Sequence, residues 1–117
     1  MKFLVLMAEE DHYARWDALD DAAREEMFAG FDAFARAVEQ RGAVLGGDAL
    51  ADPRQARTVR PGDGRAVVAG PYAETVEQLG GFFLIDVADV ETAVELAREL
   101  PRNITVEVRP ILDMEPG

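Results

Sequence analysis

The sequence predicts one α+β domain over residues 1–117, built as an antiparallel sheet with two helices on one face and an inserted β-hairpin. Three observations carry this. Phe3–Met7 and Phe82–Val87 are apolar without alternation, the pattern of strands covered on both faces. Asp20–Arg41 and Val90–Leu100 repeat apolar residues at helical spacing. The elements run β-α-β, hairpin, β-α-β along the chain. Two βαβ halves in that order close into a ferredoxin-like sheet with both helices on the same side.

Each element has its own signals. Lys2–Met7 is the first strand. Glu9–Ala18 reads as a polar loop carrying His12, Tyr13 and Trp16. Asp20 or Asp21 caps the first helix, and its acidic first turn suits the helix dipole. Met27, Phe31, Phe34 and Val38 recur at spacings of four, three and four, a buried stripe that Phe28 and Ala35 widen. Arg41 suits the last turn and Gly42 the C-terminal cap. Ala43–Leu50 is the second strand, and Gly46-Gly47 inside it mark a bulge or a close backbone approach. Asp52-Pro53 breaks it. Arg57–Arg60 and Arg65–Ala69 form a hairpin around Pro61-Gly62-Asp63-Gly64. Asp89 caps the second helix, whose stripe is Val90, Ala93, Val94, Ala97 and Leu100, and Pro101 ends it. Ile104–Leu112 is the last strand, with Val106 and Val108 on one face and Thr105, Glu107 and Arg109 on the other.

The stretch Ala66–Val87, AVVAGPYAETVEQLGGFFLIDV, organises the middle of the chain. Gly70-Pro71 breaks the strand before it: glycine opens backbone angles closed to other residues, and proline fixes its own φ and removes a donor. Thr75-Val76-Glu77-Gln78 fits a capping box for a short helical turn, which Gly80-Gly81 would stop. The whole run from Ala69-Gly70-Pro71-Tyr72 through Gly80-Gly81-Phe82-Phe83-Leu84-Ile85 resembles the YCII-related family, in the subgroup named for its Asp-Gly-Pro-Phe motif. The resemblance extends from Met1-Lys2-Phe3 to Val106-Glu107-Val108-Arg109-Pro110. Ala69 stands where the name-giving Asp is expected and Val76 where Lys is usual, so a role of that Asp does not carry over. The resemblance implies a dimeric α+β barrel type of fold and no activity common to all members. It implies two kinds of relative: small-molecule enzymes of lyase, isomerase or dehydrochlorinase type, and proteins associated with sigma factors.

Composition narrows the function classes. The chain has 117 residues, enough for one domain with a real core. A hydrophobic content of 49% favours a globular fold over a disordered one. There is no cysteine, which removes disulfides, thiolate metal sites and cysteine nucleophiles and fits a cytoplasmic protein. A net charge of −11 disfavours nucleic-acid binding and anionic membrane surfaces, since both want a basic face. No apolar run approaches the ~20 residues of a membrane span. Phe3–Ala8 is too short for a signal-peptide core.

Chemistry has few places to sit. His12 is the single histidine, so an imidazole acid-base step must use it. Glu9-Glu10-Asp11-His12 is a poor metal site because adjacent residues rarely point at one ion, and neither metal nor cofactor is expected. No glycine pattern matches a phosphate or dinucleotide loop. Arg57, Arg60 and Arg109 are cations that can meet an anionic ligand or pair with Glu107 across strands. Tyr72, Glu107 and Arg109 are the ligand-binding candidates, and His12 is the catalytic one. The first functional reading is a small-molecule-binding or regulatory module. The alternative is a cofactor-independent enzyme on a small oxygenated or aromatic substrate, with His12 as its acid-base group. Two helices cover only one face of the sheet, so a homodimer is expected to cover the other.

Overall fold

A computed structural model describes residues 1–10, 12–72 and 77–114, with His12 and Tyr13 described in backbone only. The elements are β1 (Lys2–Glu10), α1 (His12–Ala18), α2 (Asp21–Glu39), β2 (Gly42–Ala49), β3 (Arg57–Val59), β4 (Val67–Ala69), β5 (Glu77–Val87), α3 (Val90–Ala97) and β6 (Thr105–Pro110). A 3₁₀ turn, Pro53–Gln55, follows β2. The main sheet has the order β2-β5-β1-β6, and each neighbouring pair is antiparallel. The β3–β4 hairpin forms a separate two-stranded ribbon. With the ribbon set aside, the order and topology are compatible with a ferredoxin-like fold.

The core lies on the helix side of the sheet. Along β1, Phe3, Val5, Met7 and Glu9 are buried while Leu4, Leu6 and Ala8 are half-buried. Phe3, Val5 and Ile85 are fully enclosed with Phe34 and Val38 of α2 and Ala93 of α3. Each of the phenylalanine, valine and isoleucine side chains contributes about 1.5–3 kcal/mol by leaving water. The Phe34 ring meets Phe83 of β5 at 4.9 Å between centroids. The apolar runs therefore have one face in the core and one face outside it, rather than two equally covered faces. The chain measures 50 × 46 × 18 Å, and its radius of gyration of 16.2 Å exceeds the ~13 Å of a compact chain of this length. It is a flat plate of helices on one sheet.

Both long helices start as expected. Asp20 caps α2 by accepting from the Ala23 amide at 2.8 Å. Asp89 caps α3, accepting from the Thr92 amide at 2.8 Å and its hydroxyl at 2.6 Å. The stripes shift slightly. Phe28 and Val94 are exposed, and Thr92 and Leu96 are buried on α3 instead. Gly42 opens β2, while Gln40 caps the helix before it.

Two stretches depart from the sequence reading. Residues 12–18 form a helix, not a polar loop. A seven-residue helix has little intrinsic stability, and this one is held by its neighbours. Trp16 packs edge-on against Phe28 at 5.3 Å, and the Arg24 guanidinium lies 5.2 Å from the Trp16 ring centroid. Arg24 also donates to the Trp16 carbonyl at 3.0 Å, satisfying an acceptor at the helix end. Gly80-Gly81 lie inside β5, which begins at Glu77, and do not end a helical turn before it. Met7 pairs with Gly81 but Ala8 with Leu79, so Gly80 is the extra residue of a bulge. Gln78 is strand. Thr75 and Val76, the start of the expected capping box, lie outside the described residues.

The expected irregularity at Gly46-Gly47 is present. Val44 pairs with Ile85 and Gly46 with Leu84, which leaves Leu45 as the extra residue. Gly47 has φ 154°, and a Cβ there would lie 2.6 Å from the Phe82 carbonyl oxygen and 2.9 Å from the Phe83 ring. Gly47→Ala should therefore cost about 1–3 kcal/mol in a urea titration. An unchanged midpoint would show that β2 and β5 separate without loss.

The Thr92 hydroxyl and amide hold the Asp89 carboxyl below its ordinary value of 3.8. A carboxyl with a lowered folded-state pKa stabilises the fold above its unfolded value, and that stability is lost as pH falls through the folded value. Asp89→Asn should therefore lower Tm at pH 7, with the gap to the parent closing below about pH 4. A gap that persists unchanged at pH 2 would show that the charge is not what matters.

Candidate functional site

The helix-free face of the sheet holds a broad depression of about 870 Å³. Its floor follows from strand parity. The even-numbered side chains of β1, Leu6 and Ala8 among them, point away from the helices. The Gly80 bulge brings Leu79 opposite Ala8 and so onto the same face. Thr105, Glu107 and Arg109 line one side, as the last strand's alternation predicts, while Val106 and Val108 pack against the core. The segment Leu50–Ala56 and Pro71-Tyr72 form the other rim. Three of the four candidate residues, Tyr72, Glu107 and Arg109, thus line one space.

Their states differ. The Tyr72 side chain is 85% exposed and stands at the rim without being packed into it. Arg109 Nη2 pairs with Glu107 Oε2 at 2.6 Å. The pair runs along β6 rather than across strands, because residues two apart share a face. Both partners are well exposed, so the pair adds little stability. Its effect is to hold two opposite charges side by side at the edge of a floor made by Leu6, Ala8 and Leu79. Thr105 donates its hydroxyl to Glu77 across the same groove. Arg57 donates to the carbonyls of Ala56 and Arg54, and the Arg60 amide to that of Ala66, all within the ribbon region.

The Gly70-Pro71 turn positions that rim. Gly70 has φ 96°, in the region that favours glycine. Its amide donates to the Ala56 carbonyl at 2.8 Å, and its carbonyl accepts from the Thr58 hydroxyl at 2.7 Å. These bonds close the base of the ribbon. Ala69, at the place of the expected Asp, is the exposed last residue of β4 and pairs with Arg57.

His12 is the first residue of α1, and its side chain lies outside the described residues. The acidic cluster before it splits in two: Glu9 is buried at 4% exposure while Glu10 is exposed. Glu9 Oε1 accepts from Asn103 Nδ2 at 3.0 Å and from Arg15 Nη1 at 3.5 Å. The sequence reading ends the first strand at Met7 and places Glu9 in a polar loop, whereas β1 runs on to Glu10 and buries Glu9. The odd positions Phe3, Val5 and Met7 face the core, and the next odd position on the same strand is Glu9. Among the described residues, no three His, Asp or Glu side chains converge so as to hold a metal ion. Nor is any described helix long and apolar enough to cross a membrane.

The YCII-related domain matches residues 1–115, nearly the whole chain. The chain belongs to the YCII-related family. An uncharacterized protein of Rhizobium meliloti (strain 1021) is 45% identical to it over 67 residues. That stretch is 53% of this chain and 54% of the relative, so the chain spans about half the length of the curated relative it matches.

The turn gives a direct test of how the rim is held. Gly70→Val has space for its side chain but not the backbone angles. It should lower stability by about 1 kcal/mol, more than the ~0.5 kcal/mol of an ordinary surface change, and should speed proteolysis of the ribbon. A variant that melts and digests like the parent would show that the positive φ is not required.

Proposed function

We propose that this YCII-related chain is a cytoplasmic homodimeric module that binds a small molecule or serves regulation. Its groove on the helix-free face is the binding site, and a second copy closes over it. The observation that carries this reading is the bare sheet face. In a single chain of 18 Å thickness, Leu6, Ala8 and Leu79 floor an open groove with the Arg109–Glu107 pair and Tyr72 beside it. Soluble monomers rarely leave such a contiguous apolar surface in water. Sheet-to-sheet packing at about 10 Å would cover it. That arrangement accords with the resemblance to the Asp-Gly-Pro-Phe subgroup and its dimeric α+β barrel plan. The ribbon adds to the case, since Val59, Val67 and Val68 are all exposed on it. Association with a sigma factor is the regulatory form of this reading and rests on the family resemblance.

The second reading is a cofactor-independent enzyme acting on a small oxygenated or aromatic substrate, of lyase, isomerase or dehydrochlorinase type. Glu9 favours it, as a buried carboxyl three residues ahead of His12. A general acid or base must stand within hydrogen-bond reach of a placed partner.

Sedimentation at micromolar concentration tests the binding reading. The expected mass is twice the 12.8 kDa of one chain. Leu6→Lys, on the helix-free face, should convert it to a monomer while leaving helix content intact. A parent mass that stays at one chain at every concentration would overturn the dimer and the closed groove with it.

A further inference from the structure

The β3–β4 ribbon differs in charge from the chain that carries it. Arg54–Gly70 holds four of the 12 basic residues and one of the 23 acidic ones, a net charge of +3. The chain as a whole carries −11, so the rest of it carries −14. Two of the four arginines are engaged at the base of the ribbon. Arg54 is held by Asp52 at 2.6 Å, and Arg57 donates to the Ala56 carbonyl at 2.8 Å. Arg60 and Arg65, toward the tip, form no ion pair among the described residues.

The ribbon also stands clear of its own sheet. Every residue from Val59 to Ala69 is exposed. Val59 pairs with Val67, so both side chains lie on one face, and they are 51% and 62% exposed. A two-stranded hairpin alone in water is marginally stable at best. This one, with an uncovered valine face, needs a surface to lie on. Its base is built into the rim of the groove through Ala56 and Pro71. Six residues separate Ala56 from Gly62 at the turn, a reach of roughly 20 Å at ~3.3 Å per residue. That is nearly half the 46 Å width of the chain, enough to lie along the face of a second copy seated on the groove.

We propose that the ribbon is an arm that lies on the second copy and completes that copy's groove. This rests on the homodimer proposed above and names the part of the partner that closes the site. The Val59–Val67 face supplies an apolar wall opposite Leu6 and Leu79, and the basic tip lies against the acidic body. Asp52 and Glu107 at the groove already hold Arg54 and Arg109, so the attraction is between the two net charges and needs no new ion pair. A nucleic acid would meet the same basic tip but would be repelled by the −14 behind it. Two-fold symmetry makes the exchange mutual, so each groove contains residues of both chains.

Trypsin reads the arm directly, since it cuts after Arg65 but not after Arg60, which precedes proline. Cleavage after Arg65 is followed in the intact protein across the concentrations at which sedimentation shows monomer giving way to dimer. It should slow about tenfold or more as the dimer forms. Cleavage after Arg102, between α3 and β6, should stay constant. Leu6→Lys, as a monomer, should be cut after Arg65 at the fast rate at every concentration. Val59→Glu with Val67→Glu changes side chains that are exposed in one chain. It should weaken the dimer about tenfold and leave helix content intact. Arg60→Glu with Arg65→Glu should weaken the dimer most at low salt. If Leu6→Lys does not fold, the concentration series in the parent decides the matter. A one-chain mass at every concentration removes the dimer and the arm with it. A dimer whose Arg65 site is cut as fast as in the monomer, or whose affinity is indifferent to the two valine exchanges, overturns the arm and leaves the dimer standing.

Discussion

The structure depends on the packing of one strand. β1 runs between β5 and β6, and its odd-numbered side chains press Phe3, Val5 and Met7 against Phe34, Val38 and Ile85. Both helices that cover the sheet meet this row, and both neighbouring strands take their register from it. Because the side-chain period of a strand is two, the same row also decides what lies on the other face. Leu4, Leu6 and Ala8 must point away from the helices if Phe3, Val5 and Met7 point toward them. The groove on the helix-free face and the burial of Glu9 are therefore consequences of how the core is packed.

Glycine adjusts this frame at its edges. The Gly80 bulge changes the parity of β5 partway along, so that Leu79 joins Ala8 on the outer face. Leu45 does the same in β2, after which Gly47 lies against Phe83. Without these two slips the strands would carry their alternation unbroken to the ends, and the outer groove would not have its present lining. Bulges near a sheet's end commonly re-aim side chains in this way.

Much of this was legible in the chain. The helical stripe Phe31, Phe34, Val38, the Asp20 and Asp89 caps, the irregular Gly46-Gly47 strand and the alternation of Thr105, Glu107 and Arg109 against Val106 and Val108 all rest on local periodicity or local hydrogen bonding, and all hold. What local pattern could not show was the helix at residues 12–18, whose stability comes from Phe28 and Arg24 on a different element. Nor could it place Gly80-Gly81 within β5, since paired glycines read equally as a stop or as a bulge until the partner strand is known. The candidate site followed the same division. Tyr72, Glu107 and Arg109 meet around one groove, but the sequence alone suggested that Arg109 reaches Glu107 across strands.

The central place of β1 also bears on how the chain reaches its fold. β1 occupies residues 2–10, yet both of its hydrogen-bonded neighbours lie beyond residue 76. During synthesis its two edges and its apolar run must wait while most of the domain is made. Loops of that length are slow to close, and the waiting strand is open to wrong partners. The acidic residues Glu9 and Glu10 at its end, and the strongly negative charge of the chain as a whole, oppose association between nascent copies during that interval. The same arrangement that unites the finished sheet around one strand leaves that strand to be satisfied last.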